Sequence, residues 1–355
     1  MKQSRCIKTS KREGQKTLAA ANKLGIINRR LEIQRDERFL YIPIEKQPTK
    51  EQLKTLTDQV RDVSVSIYSF PTRKEPATSI TQLLQTKLPA HLLANLPRAV
   101  DFIGDIAVVE MPSELEAYQS IVGEAILKGN RKVRTVLAKK GPISGAYRLR
   151  EFAVLAGEPK TETIHKENCC QFHVDVAKAY FSPRLSFEHR RVASLVKDGE
   201  TVVDLFAGVG PFSVMIAKNR QNVTVYAIDV NPDAVEYLRK NVRVNRVIGK
   251  VNPILGDARQ IVQSKLLGVA DRVIMNLPEK ATEFVDVACE AIKPSGGIIH
   301  FYSFIRKPDS IENLKTRLAL AIQESGRNVE KNLFSRFVRE TAPYEWQAVL
   351  DIRIS

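Results

Sequence analysis

The sequence predicts a doubly wound α/β domain with a mostly parallel sheet over residues 179–355, preceded by two smaller α+β domains over residues 1–72 and 73–178. Three observations predict it. From residue 185 onward, apolar runs of strand length alternate with amphipathic segments of helix length. Those strands are almost continuously apolar, as in a parallel sheet covered on both faces. The chain has 355 residues, too many for one ordinary domain.

The elements follow in order. In the first segment "KREGQKTLAAANKLGI" has helical spacing at Leu18, Ala21 and Leu24, and "FLYIPI" reads as a short strand. "VSVSIYSF" alternates through Val63, Val65 and Ile67 as a half-buried strand does. "PTRKEPATS" carries two prolines and few apolar residues, which marks a boundary there. The middle segment mixes a helix, "ELEAYQSIVGEAILKG", with the strands "DFIGDIAVVEM" and "RKVRTVLAKK". In the last domain the strands are "TVVDLFA", "VTVYAID", "VNPIL", "DRVIMNL" and "GGIIHFYSF". The helices between them are "FSVMIAKNR", "DAVEYLRKNVRVN", a short "RQIVQSKLL" and "ATEFVDVACEAI". After the helix "IENLKTRLALAIQES" come two further strands, "LFSRFVRE" and "EWQAVLDIRI". Sheets of this kind bind ligands at the carboxyl ends of their strands.

Composition narrows the partners. The net charge is +15, which suits a polyanion, because Lys and Arg neutralise phosphates and release counterions. Residues 1–50 hold 13 Lys and Arg against 5 Asp and Glu, and residues 128–150 hold eight basic residues and no acidic one. Charge gathered in two segments reads as a footprint rather than scatter. No apolar run approaches the roughly 20 residues that span a bilayer, and the start lacks the apolar region of a signal peptide. A cytoplasmic protein without a membrane partner is expected. The four cysteines make no disulfide framework, which agrees.

The chemistry gathers at strand ends. "DLFAGVGPFS" (204–213) follows the first strand, and Gly208 and Gly210 allow a tight turn and close approach to a ligand. Asp229 ends the second strand, 21 residues beyond Gly208, where a carboxylate grips ribose hydroxyls. A nicotinamide cofactor has a similar spacing, but Ser213 stands where its third glycine belongs. "GDAR" (256–259) ends the third strand and "NLP" (276–278) the fourth. His165, Cys169, Cys170 and His173 lie within nine residues, but adjacent cysteines are awkward zinc ligands, and no metal is assigned.

Taken together, these motifs resemble an S-adenosylmethionine-dependent methyltransferase of the class I Rossmann type. "YFSPRLSFEHRRV" followed by "VVDLFAGVGPFSVMIAK" is more narrowly similar to the tRNA (guanine-N1)-methyltransferases of archaea and eukaryotes, which modify guanosine 37. The resemblance runs from "GAYRLREFAVLAGE" to the end and more loosely covers the N-terminal domain. It implies tRNA as substrate and S-adenosyl-L-methionine as cofactor, in an enzyme that acts as a monomer. The N1 of guanine carries a proton, so the reaction needs a base at N1–H and a positive donor at O6. The resemblance puts Glu188 in the first role and Arg148 in the second. Pairing of Glu188 with Arg191 or Arg184, and phosphate binding by Arg148, are the competing readings.

The same resemblance gives Asn276, Tyr180 and Pro278 to the target base. An amide both donates and accepts at a purine edge, and a proline fixes the neighbouring backbone. Many N-methyltransferases carry an aromatic residue after the proline; the guanine-N1 family uses N-L-P, as here. For the cofactor it implies His189, Asp229, Val230, Asp257, Ala258 and Asn276. The basic N-terminal domain is expected to grip a tRNA feature remote from the anticodon, with residues 128–150 tracking phosphates nearer the site. Two alternatives stay open. One is an enzyme of wyosine-base synthesis, either methylating an imidazopurine, alone or as a second activity, or transferring an aminocarboxypropyl group. The other is a non-catalytic RNA-binding protein on a decayed methyltransferase fold.

Overall fold

The computed structural model describes residues 1–60, 62–72, 79–97, 99–145 and 147–355. The chain divides into two compact units, Met1–Ser79 and Ile80–Ser355. The boundary expected at residue 72 adjoins residues 73–78, which lie outside the described residues.

In the first unit, strands β1 (Lys2–Ser10), β2 (Gln34–Arg35), β3 (Phe39–Pro43) and β4 (Val63–Phe70) form an antiparallel sheet in the order β2-β3-β1-β4. Helices α1 (Gly14–Lys23) and α2 (Lys50–Gln59) accompany it. Thr49 starts α2 with a capping box, accepting from the Gln52 amide while the Gln52 side chain accepts from the Thr49 amide. Ile7 and Ile42 pack with Ala21 and Leu56, while Cys6 and Tyr41 pack with Leu31 and Phe70, so apolar residues cover both sheet faces. The sequence reading passed over β1, the strand between β3 and β4, because "KQSRCIKTS" is polar at most positions.

The second unit opens with α3 (Ile80–Leu84) and α4 (Ala90–Leu93). The stretch "DFIGDIAVVEM", expected to be one strand, is two: β5 (Val100–Ile103) and β6 (Ile106–Val109). Gly104 turns between them at φ +58, where an added Cβ would lie 2.2 Å from Thr163 Oγ1. With α5 (Gln119–Gly129), β7 (Thr135–Ser144) and β8 (Leu149–Gly157), these strands form a sheet of order β5-β6-β7-β8. A hairpin follows, β9 (Glu162–Glu167) and β10 (Cys170–Asp175), turning through Asn168 and Cys169 at positive φ. Among the described residues no group of three or more His, Cys, Asp or Glu could hold a metal ion.

Then come α6 (Ser186–Leu195), β11 (Thr201–Asp204), α7 (Pro211–Asn219), β12 (Thr224–Asp229), α8 (Pro232–Val244), β13 (Val251–Leu255), α9 (Ala258–Lys265) and β14 (Arg272–Met275). The unit closes with α10 (Val285–Ala291), β15 (Gly297–Arg306), α11 (Ile311–Glu324), β16 (Val329–Ala342) and β17 (Glu345–Ile354). Seven strands form one sheet in the order β13-β12-β11-β14-β15-β17-β16. The pairs from β13 through β15 are parallel, and β17 and β16 add antiparallel at one side. The expected doubly wound domain is therefore present, and apolar clusters fill both faces of its sheet. A further cluster sets Ile103, Ile106 and Leu137 of the four-stranded sheet against Val174 of the hairpin, Ala179 and Val209 in the turn after β11. No helix among the described residues is long and apolar enough to cross a membrane.

Candidate functional site

The strand order reverses at β11, with β12 on one side and β14 on the other, and a crevice opens beyond the carboxyl ends there. A cavity of about 290 Å³ occupies it. Its floor is built by three linked strand ends. Gly208, in the turn after β11, has φ +55, and its amide donates to Asp229 Oδ2 at 2.7 Å. Asp229 Oδ1 accepts from the Asn231 amide at 2.9 Å, and the Gly256 amide donates to the Asp229 carbonyl at 3.0 Å. The spacing between Gly208 and Asp229 is thus one hydrogen-bonded unit in space.

Helix starts hold this floor in place. Gly210, at φ +88, precedes Pro211 at the first turn of α7; an added Cβ there would lie 2.2 Å from Leu238 Cδ1. Asn231 caps α8 by accepting from the Asp233 and Ala234 amides, and its side-chain NH₂ donates to the Lys178 carbonyl at 2.7 Å. Asp257 caps α9 through the Gln260 amide at 3.1 Å. Burial raises the Asp229 carboxyl above its ordinary range, opposed by the three amides that face it. Asp204 is fully buried beneath the turn. Burial, with the charge of Asp229, pushes it up to about 7 against the opposing hydrogen bond from Ser213 Oγ at 2.7 Å.

Arg148 and Asn276 line the same cavity. Arg148 lies between β7 and β8 at φ +56 and reaches the loop after β14, where its Nη2 is 3.3 Å from Glu279 Oε1. Its guanidinium stands over the Tyr180 ring at 5.4 Å. Arg148 Nη1 is buried without a hydrogen-bond partner, a donor left facing a site. Asn276 Oδ1 accepts from Gln347 Nε2 at 3.2 Å. Tyr180, Leu277 and Pro278 line the same cavity, as do Phe206 and Phe284, whose rings meet edge-on.

Of the residues expected from the sequence, the structure brings Arg148, Tyr180, Asp229, Val230, Asp257, Ala258, Asn276 and Pro278 together on one cavity. Glu188 and His189 do not line it. His189 is buried on α6, its Nδ1 2.7 Å from Glu167 Oε1 and its ring edge-on to Phe212. Glu188 is also buried, with Oε2 accepting from Arg191 Nε and the Tyr302 hydroxyl, each at 2.9 Å. The sequence reading missed Arg339 and Gln347. Arg339 donates from Nε to Gln347 Oε1 at 3.1 Å and from Nη2 to the Tyr180 hydroxyl at 3.3 Å. They stand opposite each other on β16 and β17, and no spacing tied either to the glycine turn. A second cavity of about 570 Å³ shares Arg148, Tyr180 and Arg339 with the first and adds Arg150 with two ion-paired cations, Lys139 on Glu110 and Arg184 on Asp101.

The cavity's donors and acceptors suit a nucleoside cofactor, with a carboxylate after the second strand, a capped third strand end and a glycine turn whose backbone a ligand can approach. Comparison with known proteins agrees. Residues 163–330 match the model of the TRM5/TYW2 methyltransferase domain, residues 80–161 the TYW2 N-terminal domain, and residues 6–52 the tRNA methyltransferase 5 N-terminal domain. The tRNA (guanine(37)-N(1))-methyltransferase Trm5b of Pyrococcus abyssi is 38% identical, with 98% of each chain covered. A crystal structure of Trm5b from that organism superposes with a TM-score of 0.72 at 34% identity, covering 99% of both chains. A complex of a relative, aTrm5, with tRNALeu matches at 32% identity and a TM-score of 0.68, again over 99% of both chains. The tRNA(Phe) (4-demethylwyosine(37)-C(7)) aminocarboxypropyltransferase of Methanocaldococcus jannaschii is 34% identical over 72% of this chain and 96% of its own. The chain belongs to the TRM5/TYW2 methyltransferase family, with the methyltransferase domain matched over residues 163–330.

Proposed function

We propose that this protein is a tRNA (guanine(37)-N1)-methyltransferase, transferring a methyl group to N1 of guanosine 37. The observation that carries the reading is the unpartnered Arg148 Nη1, on the cavity that Asp229 and Asn276 also line. A guanidinium donor buried without a partner suits an oxygen that gains negative charge during reaction, as guanine O6 does when N1 loses its proton. S-adenosyl-L-methionine, when bound, supplies the methyl group. Asp229 would hold its ribose hydroxyls, and Asp257 with the Ala258 backbone and Val230 would hold its adenine. Asn276, steadied by Gln347, and Tyr180, steadied by Arg339, position the flipped base beside Pro278. Glu188 takes the N1 proton, and His189, packed on Phe212, supports the helix that carries Glu188.

Full-length similarity to the Trm5b relatives favours guanine methylation over the wyosine branch, whose aminocarboxypropyl relative leaves more than a quarter of this chain unmatched. The basic run of residues 128–150 suits tRNA phosphates near the site. All four cysteines are free, in keeping with a monomeric enzyme of the reducing cytoplasm. Methyl transfer to transcripts with guanosine or adenosine at position 37 tests the reading. Labelled methyl should enter the first and not the second, since adenine lacks both N1–H and O6. Equal labelling would contradict it.

A further inference from the structure

The C-terminal strands arrange their side chains in rows. Phe304 pairs with Gln347, and Gln347 with Arg339; this row lines the cavity. Tyr302 pairs with Val349, and Val349 with Arg336, one row further from it, about 7 Å along the strands. His300 pairs with Asp351, and Asp351 with Phe334, in the third row. Glu188 belongs to the second row, held by Tyr302 from β15, by Arg191 from its own helix and by Arg336 from β16. Arg191 is anchored in turn on Asp351, which also takes a hydrogen bond from His300 at 2.8 Å.

The two carboxylate oxygens of Glu188 differ. Oε2 accepts two directed hydrogen bonds. Oε1 lies 3.1 Å from Arg336 Nη2, close enough for an ion pair, yet it is buried without an aligned hydrogen bond. Arg336 Nε is likewise buried without a partner. The Arg336 guanidinium stacks over Phe187 at 4.5 Å, and its side chain is 35% exposed against 1% for Glu188. So one oxygen is fixed inside the protein, and the other is held by charge alone, through an arginine that reaches solvent.

We propose that Arg336 is a positioning residue that latches Glu188: it holds Oε1 one row away from the cavity, and must withdraw before that oxygen can accept the N1 proton. The proposal rests on the reading of Glu188 as the base. In the step it serves, the N1–H bond breaks, the proton passes to Oε1, and the N1 lone pair is left for the incoming methyl. Arg191 and Tyr302 hold Oε2 and keep the carboxylate oriented while the latch is closed. While latched, Glu188 faces two cations, Arg191 on Oε2 and Arg336 beside Oε1; with Arg336 withdrawn it faces one.

Single-turnover methylation of G37 tRNA across pH tests this with Arg336→Gln, Arg336→Lys and Glu188→Gln. The acidic limb of the Arg336→Gln profile should be displaced from the parent's, while Arg336→Lys keeps the parent limb because it keeps the cation. Glu188→Gln should lose turnover at least 100-fold across the range. A purely structural role for Arg336 would lower the rate without moving the limb. A Gln variant whose limb superposes on the parent, with Glu188→Gln inactive, would overturn the latch and leave Glu188 as the base. Normal turnover in Glu188→Gln would remove both.

Discussion

The amide of Gly208 donates to the carboxylate of Asp229 across 2.7 Å, tying the turn after β11 to the end of β12. One side chain therefore shapes the glycine turn and presents the acceptor that a ribose would use. Replacing Asp229 with Asn sets an NH₂ or a weaker acceptor against the Gly208 and Asn231 amides. We expect Asp229→Asn to bind S-adenosyl-L-methionine at least about tenfold more weakly, about 1.4 kcal/mol. Calorimetric titration of the variant measures it, and unchanged affinity would remove Asp229 from the cofactor site.

Arg148 makes a different prediction, because in the proposed function its unpartnered Nη1 meets charge that develops on the base. Arg148→Gln should retain cofactor affinity and lose single-turnover methylation by about 10²–10³-fold, as loss of an oxyanion donor does. Arg148→Lys should recover little, since an ammonium cannot present the same planar pair of donors. If tRNA affinity fell while the rate on bound tRNA held, Arg148 would be a phosphate contact instead.

Asp204 carries a pH signature. Its carboxyl is pushed up to about 7 by burial, against about 3.8 for the ordinary group. A folded-state value above the unfolded one means that the folded protein holds the proton to higher pH. Asp204 therefore makes stability fall as pH rises from about 4 to 7, by up to about 4 kcal/mol. Urea unfolding of the parent and of Asp204→Asn at pH 5 and pH 8 isolates this contribution. The parent should lose more stability than the variant between the two; parallel losses would place Asp204's titration elsewhere.

Gly210 is constrained twice, by φ +88 and by Leu238 Cδ1 at 2.2 Å from where a Cβ would stand. Gly210→Ala should destabilise the second unit by roughly 1–3 kcal/mol. Adding Leu238→Ala should relieve the clash but not the backbone strain. A Gly210→Ala protein as stable as the parent would show that the turn has another accessible conformation.

The doubly wound domain was legible because its strands are apolar throughout and its helices are not, a pattern that burial on both faces imposes. The glycine turn, Asp229, Asp257 and Asn276 were legible for a related reason: strand ends at a switch point occur at predictable intervals along the chain. β1 was not legible, since a strand between two partners can be satisfied by backbone pairing with Cys6, Ile7 and Thr9 as its buried residues. Arg339 and Gln347 join the site through cross-strand register, which no local spacing encodes. The setting of Glu188 was hidden for the same reason, because Tyr302 and Arg336 reach it from 114 and 148 residues away along the chain.

The measurement that bears most directly on the account is nucleoside identification by mass spectrometry. The purified protein is incubated with S-adenosyl-L-methionine and tRNA carrying unmodified G37, and in parallel with tRNA carrying the imidazopurine precursor. The account predicts 1-methylguanosine from the first tRNA. No methylated guanosine from it, with an aminocarboxypropyl adduct or a methylated tricycle from the second, would contradict the account and move the enzyme to the wyosine branch.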